Sequence, residues 1–472
     1  MRRVSLITAV GLLLSVPAHT CLGGANNGQL KGICVSPDVD DNADGSPENP
    51  WQSIQKALDV AQPGTFIYLK GGTYRQKLHL TRSGSEGAPI TIKAYDSLPP
   101  VIDGGNGRGV LDNPELAGNI RSMNAFLEMA KKLPRFNSDD GILKVSGSWI
   151  VIDGIHLTGS PSSGMYFHSG ASHIVVKNCD VSHCVAPGIC VGAENSPSSD
   201  VKVLHNHIFN CSQRSRESIS LRTVDGFEVA YNKVEFVIKE SIDAKSGCTN
   251  GTIHHNHVLN SGHCGIYLDA GYPDRPKEQN IDIYDNIVEN AFGTAICVAA
   301  EAGNSISGVR IYNNLVWTTR EDNRGCGIKV SLNSSNTDGW IEDIMIYNNT
   351  VYGFKQQGIY VNYPKVRNIR ICNNISANTM SAITLKPKVV DPKQVVIDRN
   401  LVWGTVLDPG RGAIQADPMF KNVAEGDFTL QEGSPAIDVA YKKFVPSDDI
   451  TGQPRPQGRG YDLGAYEYKK SK

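Results

Sequence analysis

An asparagine at the end of a short apolar strand recurs from residue 175 to residue 400. It closes Val175-Val-Lys-Asn178, Val203-Leu-His-Asn206, Val229-Ala-Tyr-Asn232, Ile253-His-His-Asn256, Ile283-Tyr-Asp-Asn286, Ile311-Tyr-Asn-Asn314, Ile346-Tyr-Asn-Asn349, Ile371-Cys-Asn-Asn374 and Ile397-Asp-Arg-Asn400, at intervals of 24 to 35 residues. Between successive asparagines lies a second strand, as in Gly188-Ile-Cys-Val, Gly265-Ile-Tyr-Leu, Gly327-Ile-Lys-Val and Gly358-Ile-Tyr-Val. A repeat of this length holds strand, turn and strand and has no room for a crossover helix. Such a unit cannot bury its apolar face alone and must stack on its neighbours, which predicts an all-β chain wound as a parallel β-solenoid. Stacked asparagines can hydrogen-bond along the column, and asparagine tolerates the left-handed conformation a tight turn needs. The asparagine column therefore reads as scaffold.

The flanks do not follow the repeat. Residues 1–25 have the form of an export signal: Arg2 and Arg3, an apolar run from Val4 to Val16, and cleavage after Ala18 or Ala25. The run is too short to span a bilayer, and Cys21 follows a poor match to a lipid-attachment site. A secreted or periplasmic protein without a membrane span is expected. Trp51 to Ala61 places Trp51, Ile54, Ala57, Leu58 and Ala61 on one helical face, with Pro50 at its start, and is expected to cap the first turn of a solenoid occupying residues 33–410. Strands are expected at Phe66–Leu69, Tyr74–Leu80 and Ile90–Tyr95. A helical insertion is expected near 112–135, and residues 411–472 are expected to close the far end. The 46 basic and 48 acidic residues give no nucleic-acid footprint. The 11 cysteines form no CxxC pair and read as small residues filling the stack.

Three segments carry an unusual density of ionisable groups: Ser218-Ile-Ser-Leu-Arg222, Ser241-Ile-Asp-Ala-Lys245 and Gly265-Ile-Tyr-Leu-Asp269. Alternation sends Ile242 and Ala244 inward and Ser241, Asp243 and Lys245 outward. In register, the outward columns become Ser220, Asp243, Tyr267, Cys297, Lys329 and Arg222, Lys245, Asp269, Ala299. Strands about 4.8 Å apart bring these groups within mutual reach. Tyr166, His168, Cys190, Tyr360 and Asn362 are expected to floor the flanking groove. Glu217 and Glu301 lie at strand ends beside the patch, and with His168 and Lys329 they are the expected substrate-binding residues. His254, His255 and His257 fall at an asparagine turn, away from the groove.

The opening VSPDVDDNADGSPENPWQSIQKAL, the PGTFIYLKGGTYR that follows, the asparagine repeats and the closing GSPAIDVA, DITGQPRP and YDLGAYEY resemble secreted bacterial right-handed parallel β-helix proteins. The nearest enzymatic resemblance is to polysaccharide lyases of families 6 and 9. Lys239-Glu-Ser-Ile-Asp-Ala-Lys245 is similar to the acidic strand of the family 9 pectate lyases, which implies calcium with Glu240 and Asp243 as ligands, although Lys239 stands where that pattern has an aspartate. Lys245 falls where family 6 enzymes carry their catalytic lysine.

β-Elimination of a uronide needs a neutralised carboxylate and a base at C5. Arg222 or a bound metal would supply the first, Lys245 with a depressed pKa the second, and Tyr267 would protonate the leaving oxygen. The rival chemistry is glycoside hydrolysis by Asp243 and Asp269, whose backbones lie on a diagonal of about 7 to 8 Å. A non-catalytic glycan-binding or surface solenoid is the third reading. Each expects a monomer whose partner is a polysaccharide or oligosaccharide.

Overall fold

The computed structural model describes residues 32–469 apart from 106–139, 193–195, 214–215, 272, 332–337 and 405–409. The export signal and the insertion near 112–135 lie outside the described residues. The rest forms three parallel sheets of 13, 11 and 13 strands, each complete turn contributing one strand to each, and a two-stranded antiparallel sheet in the tail. One full turn runs through Thr249–His254, His257–Ser261 and Ile266–Asp269 before the chain returns to the first sheet at Glu278–Tyr284. Inward residues such as Ile253, Val258, Ile266 and Leu268 are fully buried in one continuous core.

The asparagine column is a hydrogen-bonded ladder running Asn206, Asn232, Asn256, Asn286, Asn314, Asn349, Asn374 and Asn400. Each side-chain amide donates to the next carboxamide oxygen at 2.9 or 3.0 Å. Each backbone N–H donates to that same oxygen. Two details differ from expectation. The left-handed residue of each turn is the one before the ladder asparagine, among them His205, Tyr231, His255, Asp285 and Asn313. Asn178 occupies that preceding position with φ 54°, and Cys179 takes the ladder site, its N–H bonding to Asn206 Oδ1 at 3.0 Å. The ladder thus selects asparagine for its paired donor and acceptor, and the turn's strain is carried one residue earlier.

The glycine that opens many groove strands has a steric cause. A Cβ at Gly265 would lie 2.4 Å from Val288 Cγ1, and one at Gly327 2.3 Å from Val351 Cγ1, so a side chain there would collide with the neighbouring sheet.

The helix spans Ile54–Val60, and its N-cap is Ser53, whose side chain accepts from the N–H of Lys56. Trp51 lies outside it, in an isolated bridge to Val35. The Gln55 amide exchanges hydrogen bonds with the backbone of His79, on the first strand of the 11-stranded sheet. The segment expected as one strand over Tyr74–Leu80 is two, Gly72–Tyr74 and Leu78–Leu80, in different sheets. Beyond residue 410, Ile414–Gln415 adds the last strand of the third sheet. The remainder folds back along the flank: Phe428, Ile450 and Ala465 pack on Leu315 and Trp317, and Leu430, Ala436 and Leu463 on Ile375 and Leu401. The turn residues Asn313, Asn348 and Asn373 bond to tail carbonyls at Asp448, Asp462 and Tyr441.

Candidate active site on the eleven-stranded sheet

The 11-stranded sheet sets the expected columns side by side. Ser220 pairs with Asp243, Asp243 with Tyr267, Tyr267 with Cys297 and Cys297 with Lys329; Arg222 pairs with Lys245, Lys245 with Asp269 and Asp269 with Ala299. Ile242 and Ala244 point into the core and are fully buried, so the strand's alternation forces Asp243 and Lys245 onto the outer face. Neighbouring side chains close over them: Asp243 is 1 % exposed, Arg222 4 % and Tyr267 4 %.

Lys245 sits between two carboxylates, with Nζ 2.6 Å from Glu217 Oε1 and 3.3 Å from Asp243 Oδ2. Ser220 Oγ donates to the other Glu217 oxygen at 2.8 Å and fixes that side chain. Burial alone would lower the lysine pKa, but Asp243 and Glu217 outweigh it and hold the ammonium above the ordinary lysine range. This corrects the expected depressed pKa. Glu217, expected as a substrate-binding residue, instead reaches Lys245 from the start of the preceding turn's strand.

Asp243 is the least satisfied group in the patch, since neither carboxylate oxygen has a hydrogen-bond partner. Burial pushes its pKa well above the usual carboxylate range, opposed by Lys245 and reinforced by Glu217, Asp269 and Glu240. An Asp243 that keeps its proton no longer raises Lys245. The Glu217 contact at 2.6 Å is then what keeps the ammonium charged.

Asp269, register partner of Lys245, is pushed up to about 7 by burial and by Glu301, against the pull of Lys245. Its Oδ1 also accepts the N–H of Gly271 at 2.9 Å. Tyr267 donates its hydroxyl to Glu301 Oε1 at 2.9 Å, and burial drives the phenol far above its ordinary range. Arg222 reaches back along the sheet, with Nη2 3.4 Å from Cys190 Sγ.

The structure thus brings together Glu217, Arg222, Asp243, Lys245, Tyr267, Asp269 and Glu301. Lys329 lies three strands from Asp243 in its column, about 14 Å along the sheet at the usual strand spacing. His168 stands at an exposed strand end, its Nδ1 3.3 Å from the carbonyl of Ser169, and flanks the patch from the other side. Glu240 is engaged by His263, Nδ1 lying 2.5 Å from Oε1. Burial raises this carboxyl, but the His263 hydrogen bond and charge prevail and hold it below its ordinary value. The turn histidines His254 and His255 pack in a ring column with Tyr231 and Tyr284, on a different sheet from the patch.

Sequence reasoning missed Glu278. It is fully buried in a column that continues as Ile306 and Ile341, and burial, with Asp269 nearby, holds its carboxyl well above the ordinary range. A glutamate where the repeat expects an aliphatic residue was the available signal.

For a hard divalent cation, the buried Asp243 carboxyl, ion-paired with Lys245 at 3.3 Å but without a hydrogen bond, and the adjoining Glu217 carboxylate are donors of the fitting type, while the expected ligand Glu240 is engaged by His263.

Residues 33–237 match the family model described as Pel9A-like, right handed beta helix region, and residues 244–339 the model described as right handed beta helix region. Pectate lyase PEL9 of Emericella nidulans is 38 % identical over 115 residues, and the match spans about a quarter of each protein, 24 % of both. Among solved structures, pectate lyase Pel9A superposes with a TM-score of 0.50 at 17 % identity, covering 93 % of this chain and 97 % of that one. The GH136 lacto-N-biosidase of Eubacterium ramulus does so with a TM-score of 0.54 at 15 % identity, covering 78 % and 67 %. The structural likeness establishes the fold, a right-handed parallel β-helix.

Proposed function

We propose that this β-helix protein is an extracytoplasmic enzyme that cleaves a uronic-acid-containing polysaccharide by β-elimination at the patch around Lys245 and Asp269. One observation carries the reading: a buried amine and a buried carboxyl pushed up to about 7 are register partners on adjacent strands of one sheet. The partial similarity to the pectate lyase PEL9 supports a polysaccharide substrate.

Arg222, in the same column, would meet the uronate carboxylate by swinging from its contact with Cys190, and neutralising that carboxylate acidifies the proton at C5. Lys245 Nζ takes that proton after its own has been released. Burial favours the neutral amine, so release follows once Glu217 and Asp243 no longer hold the charge. A divalent cation held by Glu217 and Asp243 would neutralise those two carboxylates and help to bind the substrate carboxylate. Asp269, protonated on the acid side of about 7, returns a proton to the leaving oxygen at C4. The C5–H and C4–O bonds break and a C4–C5 double bond forms. Glu301 holds Asp269 and Tyr267 in place, and Lys329 and His168 bind substrate on either side of the patch.

Hydrolysis is the second reading, favoured by the raised Asp269 beside Glu301, which suits a general acid with Glu217 as its partner base; burial, which raises Asp243, disfavours that residue as the base of the expected Asp243 and Asp269 pair. The test is a screen of uronic-acid polysaccharides with and without chelator, following near-ultraviolet absorbance and reducing ends together. Elimination gives both signals; reducing ends without absorbance establish hydrolysis. Binding with neither signal leaves a glycan-binding solenoid and removes the enzyme reading.

A further inference from the structure

Beside the patch, Glu240, His263 and Cys264 bring a carboxylate oxygen, an imidazole nitrogen and a sulfur within 4.8 Å of one another. Glu240 comes from one turn of the helix and His263 with Cys264 from the next. Glu240 is 6 % exposed and Cys264 3 %, whereas the His263 side chain is 52 % exposed. Cys264 belongs to a small buried cluster with Tyr267, Cys297 and Ala299, so the three donors stand at the margin of the groove rather than on a remote surface.

We propose that Glu240, His263 and Cys264 form a binding site for a thiophilic divalent cation of the zinc class, separate from the oxygen donors Glu217 and Asp243. The donor set decides the class of ion. Calcium takes six to eight oxygens, whereas zinc is held by nitrogen, sulfur and carboxylate oxygen, and sites with three protein ligands keep a position open for water or substrate.

The geometry requires adjustment. With metal bonds of about 2.0 to 2.3 Å, tetrahedral donors stand roughly 3.3 to 3.8 Å apart. The 2.5 Å contact between His263 and Glu240 must therefore open by about an ångström. His263 is the exposed partner and has room to swing. The ion replaces the proton shared by that pair and the proton of the Cys264 thiol, both of which leave to solvent. Two consecutive turns would then be joined at the edge of the groove by metal bonds as well as by the sheet.

The test is a cobalt titration of the full-length protein, freed of metal by chelator and kept reduced with a non-chelating phosphine. We expect a near-ultraviolet thiolate-to-cobalt band saturating at one equivalent, bleached by zinc and insensitive to excess calcium. Cys264→Ser should abolish the band, Cys297→Ser should retain it, and Glu240→Gln and His263→Ala should weaken cobalt binding by roughly tenfold or more. Thermal melts show which variants are folded; should Cys264→Ser fail, exposed His263→Ala carries the test. The proposal is overturned by a wild-type protein with no band, by a band that survives Cys264→Ser, or by unchanged cobalt affinity in His263→Ala. No substrate enters these measurements, so their outcome is independent of the elimination reading.

Discussion

Two of the buried charge clusters among the described residues are treated in opposite ways. Where the tail folds onto the third sheet, Arg455 and Glu467 have fully buried side chains 3.1 Å apart. Arg455 also donates to the carbonyls of Asp462 and Gly464 and to Asn313 Oδ1, and Glu467 accepts the N–H groups of Gln457 and Asp462. On the 11-stranded sheet, Asp243 is as deeply buried, yet both its oxygens lack hydrogen bonds. The same scaffold hydrogen-bonds one buried ion at every polar atom but Arg455 Nε, and leaves the carboxyls of Asp243 and Glu278 without hydrogen bonds. A deficit of this kind marks a place where a ligand, an ion or a reacting group completes the bonding.

The largest expected contrast is kinetic. Lys245→Met should lower turnover by about 10²- to 10⁴-fold, read as initial rate on the polysaccharide that the screen identifies. Arg455→Met should instead cost about 3 to 5 kcal/mol in denaturant unfolding, because it leaves Glu467 buried without its counter-charge, while the folded fraction keeps its specific activity. Equal loss of activity in both variants would erase the distinction between the clusters.

The pH dependence follows from Asp269. As the proton donor it must be protonated, so the rate should fall about tenfold per pH unit above about 7. Asp269→Asn should remove that alkaline limb, and a limb retained in the variant would assign it elsewhere.

A smaller effect concerns stability. A carboxyl whose pKa is raised by folding weakens the fold once pH exceeds its unfolded value of about 4. Wild type should therefore gain stability relative to Asp243→Asn as pH falls toward that value, and melting temperatures of the two proteins across pH check the sign.

The smallest expected effect lies on the third sheet, where His207 bridges Asp180 and Glu235 at 2.8 Å each and is raised to about 9 by those two hydrogen bonds. Its contribution is present in full below about 6.5 and lost as pH rises through 9. His207→Gln should lower the melting temperature at pH 6 and leave it nearly unchanged at high pH.

Much of the architecture was legible because the solenoid repeats its chemistry once per turn. The columns Arg222, Lys245, Asp269 and Ser220, Asp243, Tyr267 follow from alternation alone, and the register reproduces them. The division of labour in the turn was less legible. Asn313-Asn314, Asn348-Asn349 and Asn373-Asn374 hold two jobs in one doublet, a left-handed first residue and a ladder-forming second. Asn178 was misassigned because its partner in the doublet is Cys179. The protonation of Lys245 was not legible, because it depends on Glu217, which lies outside the alternating strand. His263 escaped for the same reason: turn residues have no period to expose them.

The tail that lies along the flank has a consequence for how the molecule resists being pulled apart. A solenoid held only by neighbour-to-neighbour contacts can peel from its end, one turn at a time. Here Asn313, Asn348 and Asn373, on three consecutive turns, are tied to one segment that follows them in sequence. That segment acts as a bolt thrown across courses already laid: fraying at the C-terminal end has to draw the bolt before the first turn can leave.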